Sequence, residues 1–117
     1  MPEARIYHNP CCSKSRAALQ LLEERGVETE AVRYLDEVPA REELGRLYGL
    51  LGLTMVRTQE PLYQELQLAG ADGDRLVEAL VKHPILIERP IVIVGERAVV
   101  ARPAELALKL LEPDEVS

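Results

Sequence analysis

The chain has 117 residues, 47% of them hydrophobic, with four Tyr, no Phe and no Trp, and its 20 acidic against 14 basic side chains give a formal charge of −6. That length suits one domain, residues 1–117, with one aliphatic core. The acidic balance argues against nucleic acid and anionic membranes as partners, and no run approaches the roughly 20 apolar residues that span a bilayer.

In chain order, Ala4 to Tyr7 is a short β-compatible run that ends at His8-Asn9-Pro10, a turn signal, and Cys11-Cys12 follow at once. From Ser13 to Arg25 the residues Ala17, Ala18, Leu21 and Leu22 recur at helical spacing and Gly26 supplies the stop. Ala31 to Leu35 reads as a second strand, so the chain opens as a βαβ unit of the kind that builds parallel sheet. Pro39 opens a helix carrying Leu44, Leu47, Tyr48 and Leu51 on one face and closed by Gly52. A further helix is expected over Thr54–Leu66 and another over Asp72–Lys82, with Asp72 or Asp74 as its cap. After the apolar run Ile85-Leu86-Ile87, the stretches Ile91–Val94 and Arg97–Ala101 flank Gly95-Glu96 as a β-hairpin, and Pro103 starts a closing helix that runs through Leu111. The order is βαβ, helices, ββα. It predicts an α/β thioredoxin-like fold with a mixed four-stranded sheet and a helical insertion over about residues 39–84.

The two cysteines are sequence neighbours, so they cannot staple distant segments, and with no clustered His or Cys elsewhere no metal site is expected. A cysteine that opens a helix directly after a strand faces unpaired backbone N–H groups and the positive end of the helix dipole, both of which favour thiolate. Cys12 has that position, and Lys14 and Arg16 add positive charge. The same donors can cradle an oxyanion. Cys12-Ser13-Lys14-Ser15 has C-x-x-C spacing with Ser in place of the second thiol. Cys11 substitutes poorly, because a disulfide between adjacent residues closes a strained ring, so an external thiol is expected to resolve an adduct on Cys12. Cys11 fits a small structural residue as well as a chemical one. His8 fits either a residue that tunes the thiol or one that caps the loop. Arg57, Arg89 and Arg102 stand at element boundaries, where each is either a surface charge or an oxyanion ligand, and the Arg89-Pro90 bond is a candidate for the cis form.

The blocks Ile6-Tyr7-His8-Asn9-Pro10-Cys11-Cys12-Ser13-Lys14-Ser15-Arg16, Tyr34-Leu35, Leu62-Tyr63-Gln64-Glu65-Leu66, His83 through Val92, and Arg102-Pro103 together resemble the glutaredoxin-coupled arsenate reductases over about residues 6–111. The resemblance implies that Cys12 attacks the arsenic of bound arsenate, that glutathione, the co-substrate, attacks the resulting adduct, and that a glutaredoxin completes reduction to arsenite. It implies that His8 assists the thiol, that Arg57, Arg89 and Arg102 bind the oxyanion with Ser15 beside them, and that Pro90 follows a cis bond. A cytoplasmic monomer without a bound cofactor is expected. The chain departs from the family pattern at Cys11, where a non-thiol residue is general, and its Gly52–Arg57 stretch is short. Two other readings compete: a monothiol oxidoreductase acting on mixed disulfides, and a redox-sensing regulator that binds RNA polymerase.

Overall fold

A computed structural model describes residues 3–111. These fall into two compact units, one built from the chain up to Arg33 together with the chain from Arg89 onward, the other from Tyr34–Glu88.

The first unit holds the sheet. Strands β1 (Ala4–Tyr7), β2 (Thr29–Val32), β3 (Ile91–Val94) and β4 (Arg97–Val100) lie in the order β2-β1-β3-β4. β1 pairs parallel with β2 and antiparallel with β3, and β3 pairs antiparallel with β4. This is the thioredoxin-like arrangement. The parallel pair needs a crossover, which helix α1 (Ser13–Glu24) supplies, whereas β3 and β4 need only the two residues Gly95-Glu96, with Gly95 at φ +61.

Alternation along the strands sends Ile6 and its register partner Val92 to one face, where both are fully buried with Ala18 and Leu22 of α1 and with Ala101, Ala107 and Leu110. Tyr7 and Ile91, also paired, point to the opposite face and are buried there. Helix α1 stops as its glycine demands. Gly26 has φ +73, the Val27 N–H reaches the Leu22 carbonyl (3.1 Å), and the Gly26 N–H reaches Glu23 (3.0 Å), the double bond of a Schellman cap.

Two expectations for this unit shift. The second strand occupies Thr29–Val32, not Ala31–Leu35, because β1 offers only four residues and its last pairing is Tyr7 with Val32. The closing segment Ala104–Leu111 is a 3-10 helix rather than an α-helix. Three residues per turn place Ala104, Ala107 and Leu110 in one row against the core, an apolar pattern that an α-helical reading of the same residues also satisfies.

The second unit contains α2 (Arg41–Leu51), α3 (Pro61–Glu65) and α4 (Gly73–Lys82). α2 packs on α4, burying Leu44 and Leu47 of the first and Leu76, Val77, Ala79 and Leu80 of the second. α2 begins two residues after Pro39, with Ala40 as its N-cap. The single helix expected over Thr54–Leu66 is instead three pieces. A 3-10 turn spans Gly52–Met55, Val56 bridges to Ile87, and α3 starts at Pro61. Val56 is extended, and the backbone groups on either side of it pair across the bridge: Arg57 N–H to Leu86 (2.8 Å) and Glu88 N–H to Met55 (2.7 Å).

α4 carries the one side-chain cap among the described α-helices, Asp72 Oδ1 accepting from the Arg75 N–H at 2.9 Å. Asp72→Ala is expected to cost about 1 kcal/mol, measured as a lower denaturation midpoint at unchanged slope. Among the described residues no helix is long and apolar enough to cross a membrane.

Candidate active site

The candidate site grows from the end of β1. The His8 N–H bonds the Val32 carbonyl (2.8 Å), which carries the β1-β2 pairing one residue further. Asn9 then turns the chain twice over: its carbonyl accepts from Cys12 N–H (2.9 Å) and its Oδ1 accepts from Cys11 N–H (3.0 Å). Cys12 emerges as the N-cap of α1, with extended backbone (φ −97, ψ 122) and its carbonyl accepting the first helical bond from Arg16 N–H at 3.0 Å.

At an N-cap, an Asp or Ser side chain ordinarily serves the orphan N–H groups of the first turn. Cys12 makes no side-chain capping bond of that kind, and the first-turn N–H groups instead favour its thiolate form. Burial alone pushes its thiol pKa up, but the backbone N–H groups of Ser15 and Lys14, then the charge and hydrogen bond of Arg89, outweigh burial and hold the thiol below its ordinary value. The charge on the sulfur's neighbourhood therefore comes from Arg89. Lys14, expected to act through its ammonium, acts through its peptide N–H, and Arg16 donates to the Pro10 carbonyl at 2.9 Å.

Arg89 and Arg102 are brought together by two strand ends. Arg102 Nη1 donates to the Arg89 carbonyl (3.0 Å), next to the Ala101 N–H bond to Pro90 (2.9 Å) that extends the β3-β4 ladder. The Arg89-Pro90 bond is cis, and so is Arg102-Pro103, for which the sequence carried no separate signal. Arg57 belongs to the other unit. There its guanidinium pairs with Glu60 (3.3 Å) and donates to the Ile85 carbonyl (3.4 Å).

Ser15 differs most from its expected place. Instead of opening toward a ligand it is fully buried, with Oγ 2.7 Å from His8 Nδ1 and accepting from the Asn9 N–H at 3.0 Å. A hydroxyl has one proton to give. Oγ has two acceptor sites, of which the Asn9 N–H fills one, so it meets His8 Nδ1 either as donor, with the ring proton on Nε2, or as acceptor, with the ring proton on Nδ1. Burial first, then the charges of Arg33 and Arg16 against the opposing Glu23, hold the His8 pKa below its ordinary value. At neutral pH the ring is uncharged, so His8 does not serve Cys12 as a counter-cation.

Ser15→Ala strands His8 Nδ1 and the Asn9 N–H together in a buried site. The expected result is a stability loss of about 1–3 kcal/mol by chemical denaturation and a mixture of imidazole tautomers, read from the 15N shifts of His8. Unchanged stability with a single tautomer retained would show that Ser15 does not hold the ring.

Asn9 and Arg33 escaped sequence reasoning. The Asn9-Pro10 pair marks a turn, but that the Asn9 side chain and carbonyl would each hold a cysteine N–H needs the register of β1 on β2. Among the described residues there is no group of three or more His, Cys, Asp or Glu placed to hold a metal ion.

Known proteins align on these features. Residues 7–110 match the family model described as the ArsC family. An arsenate reductase of Neisseria meningitidis serogroup A is 50% identical over 111 residues, covering 90% of this chain and 95% of that relative. An arsenate reductase of Escherichia coli K12 is 38% identical over 119 residues, covering 97% and 84%. The solved structure of an arsenate reductase from Vibrio cholerae superposes with a TM-score of 0.87 at 44% identity, over 93% of this chain and 98% of that one. The match takes in the stretch from the last residue of β1 through the segment after Arg102, and by it the chain belongs to the ArsC family.

Proposed function

We propose that this chain reduces arsenate to arsenite, with Cys12 as the nucleophile and Arg89 and Arg102 as oxyanion ligands. The observation that carries the reading is the Cys12 sulfur held as a depressed-pKa thiol at the N-terminus of α1, under the N–H groups of Lys14 and Ser15 and beside the Arg89 guanidinium. Arsenate is an anion and so is the attacking thiolate. Fixed positive donors must offset their repulsion before a sulfur-arsenic bond can form.

The thiolate adds to arsenic and one arsenate oxygen departs as water. An external thiol then displaces a second oxygen from the arsenic of the adduct as water, and a second external thiol attacks that sulfur. The two leave as a disulfide, their electron pair stays on arsenic, and the +5 centre becomes +3. Hydrolysis of the remaining Cys12-arsenic bond frees arsenite. In sum, arsenate and two thiols give arsenite, a disulfide and water. Ser15 supports the external route, since position 15 offers no second thiol and its hydroxyl is committed to His8. Glutathione with a glutaredoxin fits the two external thiols, and a reducing cytoplasm is the setting that supplies them. The family pattern also gives Arg57 to oxyanion binding, and in the structure its guanidinium pairs with Glu60.

The test is arsenate-dependent NADPH oxidation by wild-type protein coupled either to glutathione with glutaredoxin or to thioredoxin. Turnover with the first and not the second is the expected result. No turnover with either, from a chain whose Cys12 alkylates rapidly at neutral pH, would sink the reading and favour thiol exchange on mixed disulfides.

A further inference from the structure

We infer that Cys11 and Cys12 together form a two-thiol site for trivalent arsenic, so that the product is caught before it is released. The inference rests on the reading above, because it concerns the product of that reaction. Cys11 is exposed and Cys12 is half-buried, so both sulfurs are within reach of solvent. The two residues are adjacent, and the Asn9 turn holds the backbone of both: the Cys11 N–H is tied to Asn9 Oδ1 (3.0 Å) and the Cys12 N–H to the Asn9 carbonyl (2.9 Å).

The chemistry of the product differs from that of the substrate. Arsenate is an anion that arginines can hold, whereas arsenous acid is uncharged at neutral pH and gives Arg89 and Arg102 no ionic grip. Its affinity is for sulfur, and two thiolates hold it far better than one because the second bond forms within the same chain. A direct disulfide between adjacent cysteines forces a short sulfur-sulfur contact and a strained ring. An arsenic atom placed between the two sulfurs spans a wider gap and enlarges the ring by one atom, so the strain that bars Cys11 from resolving the adduct as a disulfide is relaxed for chelation.

The step balances without an oxidant or reductant. After reduction, arsenic(III) is bonded to Cys12 sulfur and carries two hydroxyls. The Cys11 thiol attacks it, a sulfur-arsenic bond forms, one hydroxyl leaves with the thiol proton as water, and arsenic remains trivalent with both sulfurs and one hydroxyl. From free arsenous acid the same site forms with loss of two waters and no change in oxidation state. An external thiol reverses the capture by exchange. Cys11 thereby sets how long the product stays, not how it is made.

The experiment adds arsenite, and in parallel phenylarsine oxide, to the reduced protein in the absence of other thiols, and follows native mass together with the count of titratable thiols. Wild type is expected to gain one arsenic per chain and lose both thiols. Cys11→Ser, at an exposed position that the fold does not depend on, is expected to hold arsenic more weakly by on the order of tenfold or more, as is Cys12→Ser. The inference is overturned by wild-type thiols that stay titratable at saturating arsenite, by Cys11→Ser holding arsenic as tightly as wild type, or by one arsenic bridging two chains. Uptake of arsenite needs no turnover, so the two readings fail separately. A chain that captures arsenite but does not reduce arsenate loses the reductase reading alone, and one that reduces arsenate without two-thiol capture loses this site alone.

Discussion

Cys12→Ser is expected to lower arsenate-dependent turnover by at least about three orders of magnitude while leaving the fold as stable as before or slightly more so. The two effects separate because residue 12 does two jobs at one place. As nucleophile it must be ionised. The N–H groups of Lys14 and Ser15 with Arg89 bring a thiol below its ordinary pKa, but a serine hydroxyl starts so much higher that the same donors leave it protonated. As N-cap residue its side chain makes no capping bond, whereas serine is a favoured N-cap that can supply one, with caps contributing about 1 kcal/mol. Coupled NADPH oxidation reads the first effect and urea denaturation the second. Turnover within tenfold of wild type would move the nucleophile elsewhere. Lost turnover with a large loss of stability would mean that the variant misfolds and that Cys12 holds the loop together.

Local periodicity made much of this architecture legible in advance. β1, α1, the β3-β4 hairpin and α4 each carry their own signal: an apolar run before Asn9-Pro10, the Ala18 and Leu22 stripe closed by Gly26, the Gly95-Glu96 turn, and Asp72 before Leu76. The Thr54–Leu66 stretch misled because its apolar residues are compatible with a helix. What decides its shape is Val56 bridging to Ile87, some thirty residues away, together with Pro61, which restarts the helix. The closing 3-10 helix misled for a different reason, since Ala107 and Leu110 suit either helical period.

The thiol was visible for a similar reason, being a strand-to-helix feature that needs no distant partner. The groups that tune it were not. Lys14 and Arg16 are close in sequence, yet the cation that acts on Cys12 is Arg89, which the β1-β3 pairing delivers from across the sheet. Ser15 sits at the position of a second thiol in the C-x-x-C pattern, which invites a role in contact with substrate. Its burial against His8 follows from which way α1 faces the end of β1, and that is a property of packing.

Arg89→Gln tests the electrostatic part of the site. Glutamine keeps most of the stem and an amide donor but removes the charge. The apparent pKa of Cys12, read from the pH dependence of iodoacetamide alkylation, is expected to rise toward the ordinary thiol value, so that alkylation slows at neutral pH and the two proteins converge at pH values above both midpoints. The sign for stability follows from the same shift. A thiol whose folded pKa lies below its unfolded one stabilises the fold above the unfolded pKa, and that contribution is lost as pH falls through the folded pKa. The variant therefore loses stability at alkaline pH and not at acid pH. Arsenate turnover should fall about a hundredfold and should not recover at high pH, because the oxyanion has also lost a donor that no change in pH restores. An unchanged alkylation midpoint would show that the helix N-terminus alone holds Cys12 down. Turnover restored at high pH would confine Arg89 to the thiol and leave the oxyanion to Arg102, whose guanidinium is tied to the Arg89 carbonyl.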